Sequence, residues 1–179
     1  VVLARTYEEA QKLYDKYSDN TLGVISDARF PLKSAAKAFG NEVMPEEKPK
    51  HRTDTFGREK CPDAGLQLFR YIRKNDPFVP LIIESSESEN RAKAEAEGFR
   101  FVDKNSKKMS VDLRRLMEEH MGFGDFIFRD PETHEEIMRI HSLKELQDNI
   151  FNIPNDSMLY HISRNHMSRW LCARAIFPV

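Results

Sequence analysis

Three short apolar runs, each handing a polar side chain to its carboxyl end, constrain this chain more than any other feature. The first, Leu22-Gly23-Val24-Ile25-Ser26-Asp27, breaks at Pro31; the second, Val79 to Glu84, ends on Ser85 and Ser86; the third, Phe99 to Asp103, ends on Lys104. Runs this short and this uniformly apolar read as strands covered on both faces. Segments of helical period separate them, and that alternation predicts an α/β domain with a doubly wound parallel sheet. In such sheets ligands gather beyond the carboxyl ends of the strands. Asp27, Ser85 and Lys104 are therefore expected to leave three successive strands at one edge.

The helices announce themselves by caps and stripes. Thr6, with Glu9 three residues on, opens a capping-box pattern before the stripe Ala10, Leu13, Tyr14 and Tyr17, which Ser18-Asp19-Asn20 ends. Asp63 is the expected cap of a helix over Ala64 to Arg73 that turns Leu66, Phe69 and Ile72 to the sheet. Ser88 is the expected cap of Glu89 to Glu97, closed by Gly98, and Ser110 of Val111 to Met121, closed by Gly122. Val1 to Ala4 reads as one more strand. Leu32 to Pro62, with Pro45, Pro49 and many charges, reads as an insertion beside the active edge, with one short helix over Ser34 to Phe39.

After Gly122 the pattern changes. Asp125 to Arg129, a turn through Asp130-Pro131-Glu132-Thr133, and Ile137 to Ile140 predict a β-hairpin. Two helices are expected to follow, Leu143 to Phe151 capped by Ser142, and Ser157 to Ala175. The chain thus reads as a domain over 1–122, with its insertion at 32–62, and a hairpin and helical extension or connector over 123–179. His161 and His166 lie five apart on the last expected helix, a spacing that does not share a face, so no two-histidine metal pair is expected. With Arg164, Asn165, Arg169 and Trp170 they fit either a docking surface or a packed helix.

Charge narrows the partners. Of 179 residues 32% are charged, yet the net charge is only -1, which gives no electrostatic case for nucleic acid or a membrane surface. Cys61 and Cys172 are too few and too far apart for a disulfide framework or a spaced zinc site. There is no apolar run near the roughly 20 residues a membrane span needs, and Val1-Val2-Leu3-Ala4 runs straight into polar sequence, unlike a signal peptide. A cytoplasmic protein is expected.

An Ile25-Ser26-Asp27-x-x-x-Pro31 string, Ser85 and Lys104 at later strand ends, and Phe101 three residues before Lys104 together resemble the receiver domain of response regulators, a flavodoxin-like fold. The resemblance implies that Asp27 accepts a phosphoryl group, that Ser85 is the switch hydroxyl, that Lys104 contacts the phosphoryl group and that Phe101 is the aromatic switch. It also implies Mg2+ held by Asp27 and the backbone carbonyl of Arg29. The implied partners are a histidine kinase or small phosphodonor and an attached downstream domain, with homodimer formation left open. Singly, Asp27 fits a cap or loop residue, Ser85 a turn, Lys104 a solvated amine and Phe101 a core position. The joint pattern carries the resemblance.

Further strings, Ala4-Arg5-Thr6-Tyr7-Glu8-Glu9-Ala10, Ser85-Ser86-Glu87-Ser88-Glu89-Asn90-Arg91, Phe101-Val102-Asp103-Lys104-Asn105-Ser106, Phe123-Gly124-Asp125-Phe126 and Leu159 to His166, are similar to the amino-terminal regulatory region of large bacterial proteins related to phosphoenolpyruvate synthase and pyruvate phosphate dikinase. That likeness implies a regulatory rather than catalytic chain. Receivers hold magnesium with an acidic pair on a first, central strand, and Val1 already matches the second. A segment upstream, or a strand from elsewhere, is therefore expected to fill the gap. Asn105 replaces the proline that usually follows the receiver lysine, so a rearranged loop is expected there. A phosphorylation-incompetent interaction module is the rival reading. An aspartate-nucleophile phosphatase fits poorly, because Arg29 stands where such enzymes place their second aspartate.

Overall fold

The computed structural model describes residues 1–33, 54 and 58–176. Most of the expected 32–62 insertion, and all of its short helix over Ser34 to Phe39, lies outside the described residues. The chain forms two compact units, Val1–Asn105 and Ser106–Val179.

In the first unit, α1 (Tyr7–Tyr17) and a 3-10 turn (Ser18–Asn20) precede β1 (Val24–Asp27), and β2 (Phe30–Pro31) pairs antiparallel with β3 (Lys60–Cys61). Then come α2 (Ala64–Asn75), β4 (Leu81–Ser85), α3 (Glu89–Ala96) and β5 (Arg100–Asp103). β1, β4 and β5 form a parallel sheet in the order β1-β4-β5, with Asp27 opposite Glu84 and Ser85 opposite Asp103. The expected mixed α/β class with a parallel sheet is thus found.

Hydrophobic burial explains the order. Leu81, Ile82 and Ile83 are at most 1% exposed, which suits β4 to the centre, whereas β1 alternates and leaves Ile25 at 39% exposure, as an edge strand does. Leu81 and Ile83 pack with Leu66, Phe69 and Ile72 of α2, Ala94 of α3, and Phe99, whose ring meets Phe69 edge to face at 5.3 Å. Thr6 caps α1 as expected: its Oγ1 accepts the Glu9 N–H at 3.3 Å, while Glu9 reaches back to accept the Arg5 N–H at 2.8 Å.

Three local expectations fail in this unit. Val1 to Ala4 is not a strand, and Val1, Val2 and Leu3 are exposed. A strand needs a ladder partner for its backbone groups, and among the described residues β1 pairs with β4 alone. Asp63 makes no side-chain cap, pairing instead with Lys93 at 3.1 Å, and Ser88 does not cap α3. Gly98 closes α3 in the left-handed conformation, φ 74°, as expected.

The second unit contains α4 (Met109–His120), β6 (Phe126–Arg129), β7 (Glu136–Ile140), α5 (Leu143–Asn149), a 3-10 turn (Ile150–Asn152), α6 (Asn155–Ile162) and α7 (His166–Cys172). The expected hairpin is present, with Phe126 opposite Ile140, and Asp130 Oδ1 accepts the Glu132 and Thr133 N–H groups in its turn. Ser110 does not cap α4, which begins one residue earlier. Ser142 does cap α5, accepting the Glu145 N–H at 3.2 Å. Phe126, Phe128, Ile140, Ile153 and Trp170 form a separate core. The indole N–H of Trp170 donates to the Gly124 carbonyl at 2.9 Å, and the Arg174 guanidinium stacks 3.7 Å from its ring centroid. The expected helix over Ser157 to Ala175 is broken in two, because Asn165 takes a left-handed conformation, φ 57°, that no α-helix continues through. Among its described residues the extension accordingly has three α-helices rather than two.

Candidate functional site

Asp27 is the last residue of β1, and its carboxylate, about half exposed at 52%, is ion-paired to the Lys104 ammonium. The sheet arranges this meeting. β1 and β5 flank β4, and the Lys104 N–H donates to the Ser85 carbonyl at 2.9 Å, which prolongs the β4–β5 ladder by one bond. The long lysine stem then reaches across the end of β4 to Asp27. The other side of Asp27 is fixed by α2. The Gly65 N–H donates to the Ala28 carbonyl at 3.0 Å, and a Cβ on Gly65 would collide with the Asp27 carbonyl. A glycine there lets the helix start touch the strand end.

Ser85 ends β4 and is 7% exposed. Its oxygen accepts two hydrogen bonds, from the Glu87 N–H at 3.1 Å and from Asn90 Nδ2 at 2.9 Å. A hydroxyl accepts two bonds and donates one, so the O–H of Ser85 is the group left to give. Asn90, 4% exposed in the first turn of α3, also donates to Glu87 Oε2 at 3.3 Å. Glu87 in turn holds Nη2 of Arg29 with both oxygens, at 2.9 and 3.1 Å. Nε of Arg29 is sealed from solvent and, among the described residues, has no hydrogen-bond partner.

Phe101 is half-buried against the core of the first unit, and the Arg91 guanidinium lies 4.7 Å from its ring centroid. The loop after Lys104 is tied by Asn105, whose side chain donates to the Ser86 carbonyl at 2.8 Å, and the Lys104–Asn105 peptide is trans. The structure therefore brings Asp27 and Lys104 into contact. Ser85 stands beside them with its oxygen turned to Glu87 and Asn90, and Arg29 is drawn to Glu87.

Two acids at this edge were not singled out by sequence. Glu84 shares the register of Asp27; burial pushes its carboxyl above the usual range, Lys104 opposes that shift and Asp27 adds to it. Glu87 and Asn90 had a faint signal, polar residues two and five beyond a strand-ending serine, the spacing of side chains that hydrogen-bond a turn. Asp27 and the Arg29 carbonyl offer two oxygens to a divalent ion, and among the described residues no group of three or more metal-ligating side chains gathers. Mg2+ asks for about six oxygens in an octahedron, so these residues alone do not compose its site.

The second unit holds a histidine pair that the expected continuous helix would have kept apart. Because the chain turns at Asn165, Nδ1 of His161 and Nδ1 of His166 lie 3.1 Å apart. The Arg129 backbone N–H donates to His161 Nε2 at 3.0 Å. In the neutral ring that leaves the proton on Nδ1, to be donated to His166. A metal between the two rings would have to strip this shared proton, which favours a structural pair. Burial, more than the neighbouring charges, lowers both imidazoles to about 4.

No family model matches this chain, and neither a curated protein nor a solved structure matches it. Among the described residues, no helix is long and apolar enough to cross a membrane.

Proposed function

We propose that this chain is a receiver-like signalling module that takes a phosphoryl group on Asp27 and passes the change to an attached or partner domain. The observation that carries the reading is the Asp27–Lys104 ion pair at the carboxyl end of a parallel sheet, with Ser85 on the strand between them. A carboxylate oxygen of Asp27 attacks phosphorus in a phosphohistidine or acyl phosphate. The new O–P bond forms as the P–N or P–O bond to the donor breaks, and the leaving group departs with the electron pair. Lys104 then moves from the carboxylate to a phosphoryl oxygen, a point-charge role that suits an ammonium. The O–H of Ser85 supplies a donor. Of the groups in this chain, Asp27 and the Arg29 carbonyl would be the ones to hold Mg2+ in this reading, and the ion would neutralise phosphate charge. The doubly wound receiver topology, the aromatic-switch role of Phe101, the kinship with regulatory regions of phosphoenolpyruvate synthase-related proteins and a cytoplasmic setting are parts of the same proposal.

A second reading, a regulatory or interaction module that is never phosphorylated, draws support from one observation: the Asp27 carboxylate is already neutralised by Lys104. Intact-mass measurement after treatment with a small acyl phosphate, with and without Mg2+, separates the two. The expected result is a gain of one phosphoryl group that Asp27→Ala abolishes. No gain by the folded protein overturns the phosphoacceptor reading and leaves the interaction module.

A further inference from the structure

We propose that Arg29 is a phosphoryl ligand held in reserve by Glu87, so that modification of Asp27 exchanges one anion for another on the same guanidinium. The inference rests on the phosphoacceptor reading and extends it to a residue whose side chain that reading leaves idle. Arg29 follows Asp27 by two residues, in the loop leaving β1, and reaches across to the loop leaving β4. Its resident partner is a poor match. The Glu87 carboxylate places both oxygens on Nη2, while Nε of the same edge is buried and bare. A guanidinium offers Nε and Nη2 as a parallel fork, and a phosphoryl group, with three oxygens and a second negative charge, fills such a fork better than a carboxylate stacked on one nitrogen. Glu87 is also easy to displace. Its side chain is 48% exposed, so the released carboxylate passes directly into water.

The exchange completes the charge balance at this edge. A phosphorylated Asp27 brings about two negative charges. Lys104, freed from the carboxylate, answers one, and Arg29, two residues beyond Asp27 in the loop leaving β1, answers the other. Glu87 is thus a carboxylate standing in for the incoming phosphoryl group. Its release also unties the loop after β1 from the loop after β4, which remains joined to α3 through Ser85 and Asn90.

The test uses two substitutions that break the same ion pair and are expected to move the readout in opposite directions. The initial rate of phosphoryl gain from an acyl phosphate, and the rate of its later loss, are followed by intact mass in Arg29→Met, Glu87→Gln, the double variant and the unaltered protein, with thermal melting as a folding control. Arg29→Met is expected to lower the phosphorylated fraction roughly tenfold, the worth of one charge-assisted hydrogen bond. Glu87→Gln is expected to raise it about threefold, since its amide competes less well for the guanidinium, and the double variant to match Arg29→Met. If Glu87→Gln falls alongside Arg29→Met, the bridge is a structural tie and the exchange is wrong, while the phosphoacceptor reading stands. Should Arg29→Met fail to fold, Glu87→Gln alone still decides, because a rise supports the exchange and a fall or no change overturns it. No phosphoryl gain in any of the proteins, the unaltered one included, is the distinct outcome that overturns the underlying reading and this inference with it.

Discussion

His161 shows how one backbone contact can settle the chemistry of a side chain. The Arg129 N–H occupies Nε2, the neutral ring keeps its proton on Nδ1, and His166 becomes the acceptor. Around the pair stand Arg129 on β6, Arg164 in the α6–α7 turn, Arg169 on α7 and His120 on α4, all of which disfavour protonation. Folded, both rings titrate near 4; unfolded, they titrate near 6.5. Between those values the unfolded chain binds more protons than the folded one, so stability is full above about pH 6.5 and is lost as the pH falls toward 4. The thermal midpoint of the second unit, followed by the fluorescence of Trp170, is expected to drop across that window. A His161→Gln, His166→Gln double variant is expected to flatten the slope. The residue types were legible at both positions, but their meeting was not, because five-residue spacing keeps two side chains apart on any continuous helix.

At the level of elements, the start of α2 governs the strand end that carries Asp27. Gly65 accepts the closest approach, with its N–H on the Ala28 carbonyl and no room for a methyl group beside the Asp27 carbonyl. Gly65→Ala is expected to lower the unfolding free energy by about 1–3 kcal/mol, the usual cost of overpacking. On the phosphoacceptor proposal it should also slow phosphoryl gain at Asp27, because the strand end must move to relieve the clash; denaturant titration and intact mass read the two effects. Elements of this kind were readable wherever the signal was local. The apolar run of β4, the capping box at Thr6 and the left-handed Gly98 all fall where the sequence places them. Val1 to Ala4 has the composition of a strand and none of its structure, since composition cannot supply a neighbour to bond.

Among the described residues there are two cores, one around Phe69, Leu81 and Ile83 and the other around Phe126, Phe128 and Trp170. Trp170 is the single tryptophan of the chain, so its fluorescence reports the second core specifically. Phe128 is fully buried there, and Phe128→Ala is expected to destabilise the fluorescence-detected transition by about 3–5 kcal/mol, measured by denaturant unfolding. The sequence by itself determined the alternation of β1, α2, β4, α3 and β5, the parallel character of their sheet, the hairpin, and the fact that an acid, a hydroxyl and a lysine leave three strands in turn. All of these follow from periodicity, caps and turn residues, which act over a few neighbours. Only the tertiary structure decided that Lys104 closes on Asp27 across 77 residues, that Glu87 rather than solvent holds Arg29 across 58, and that a left-handed Asn165 folds two histidines onto each other. Those contacts depend on strand register and on where a distant backbone group lies, and no local pattern of residues encodes the position of a partner so far along the chain.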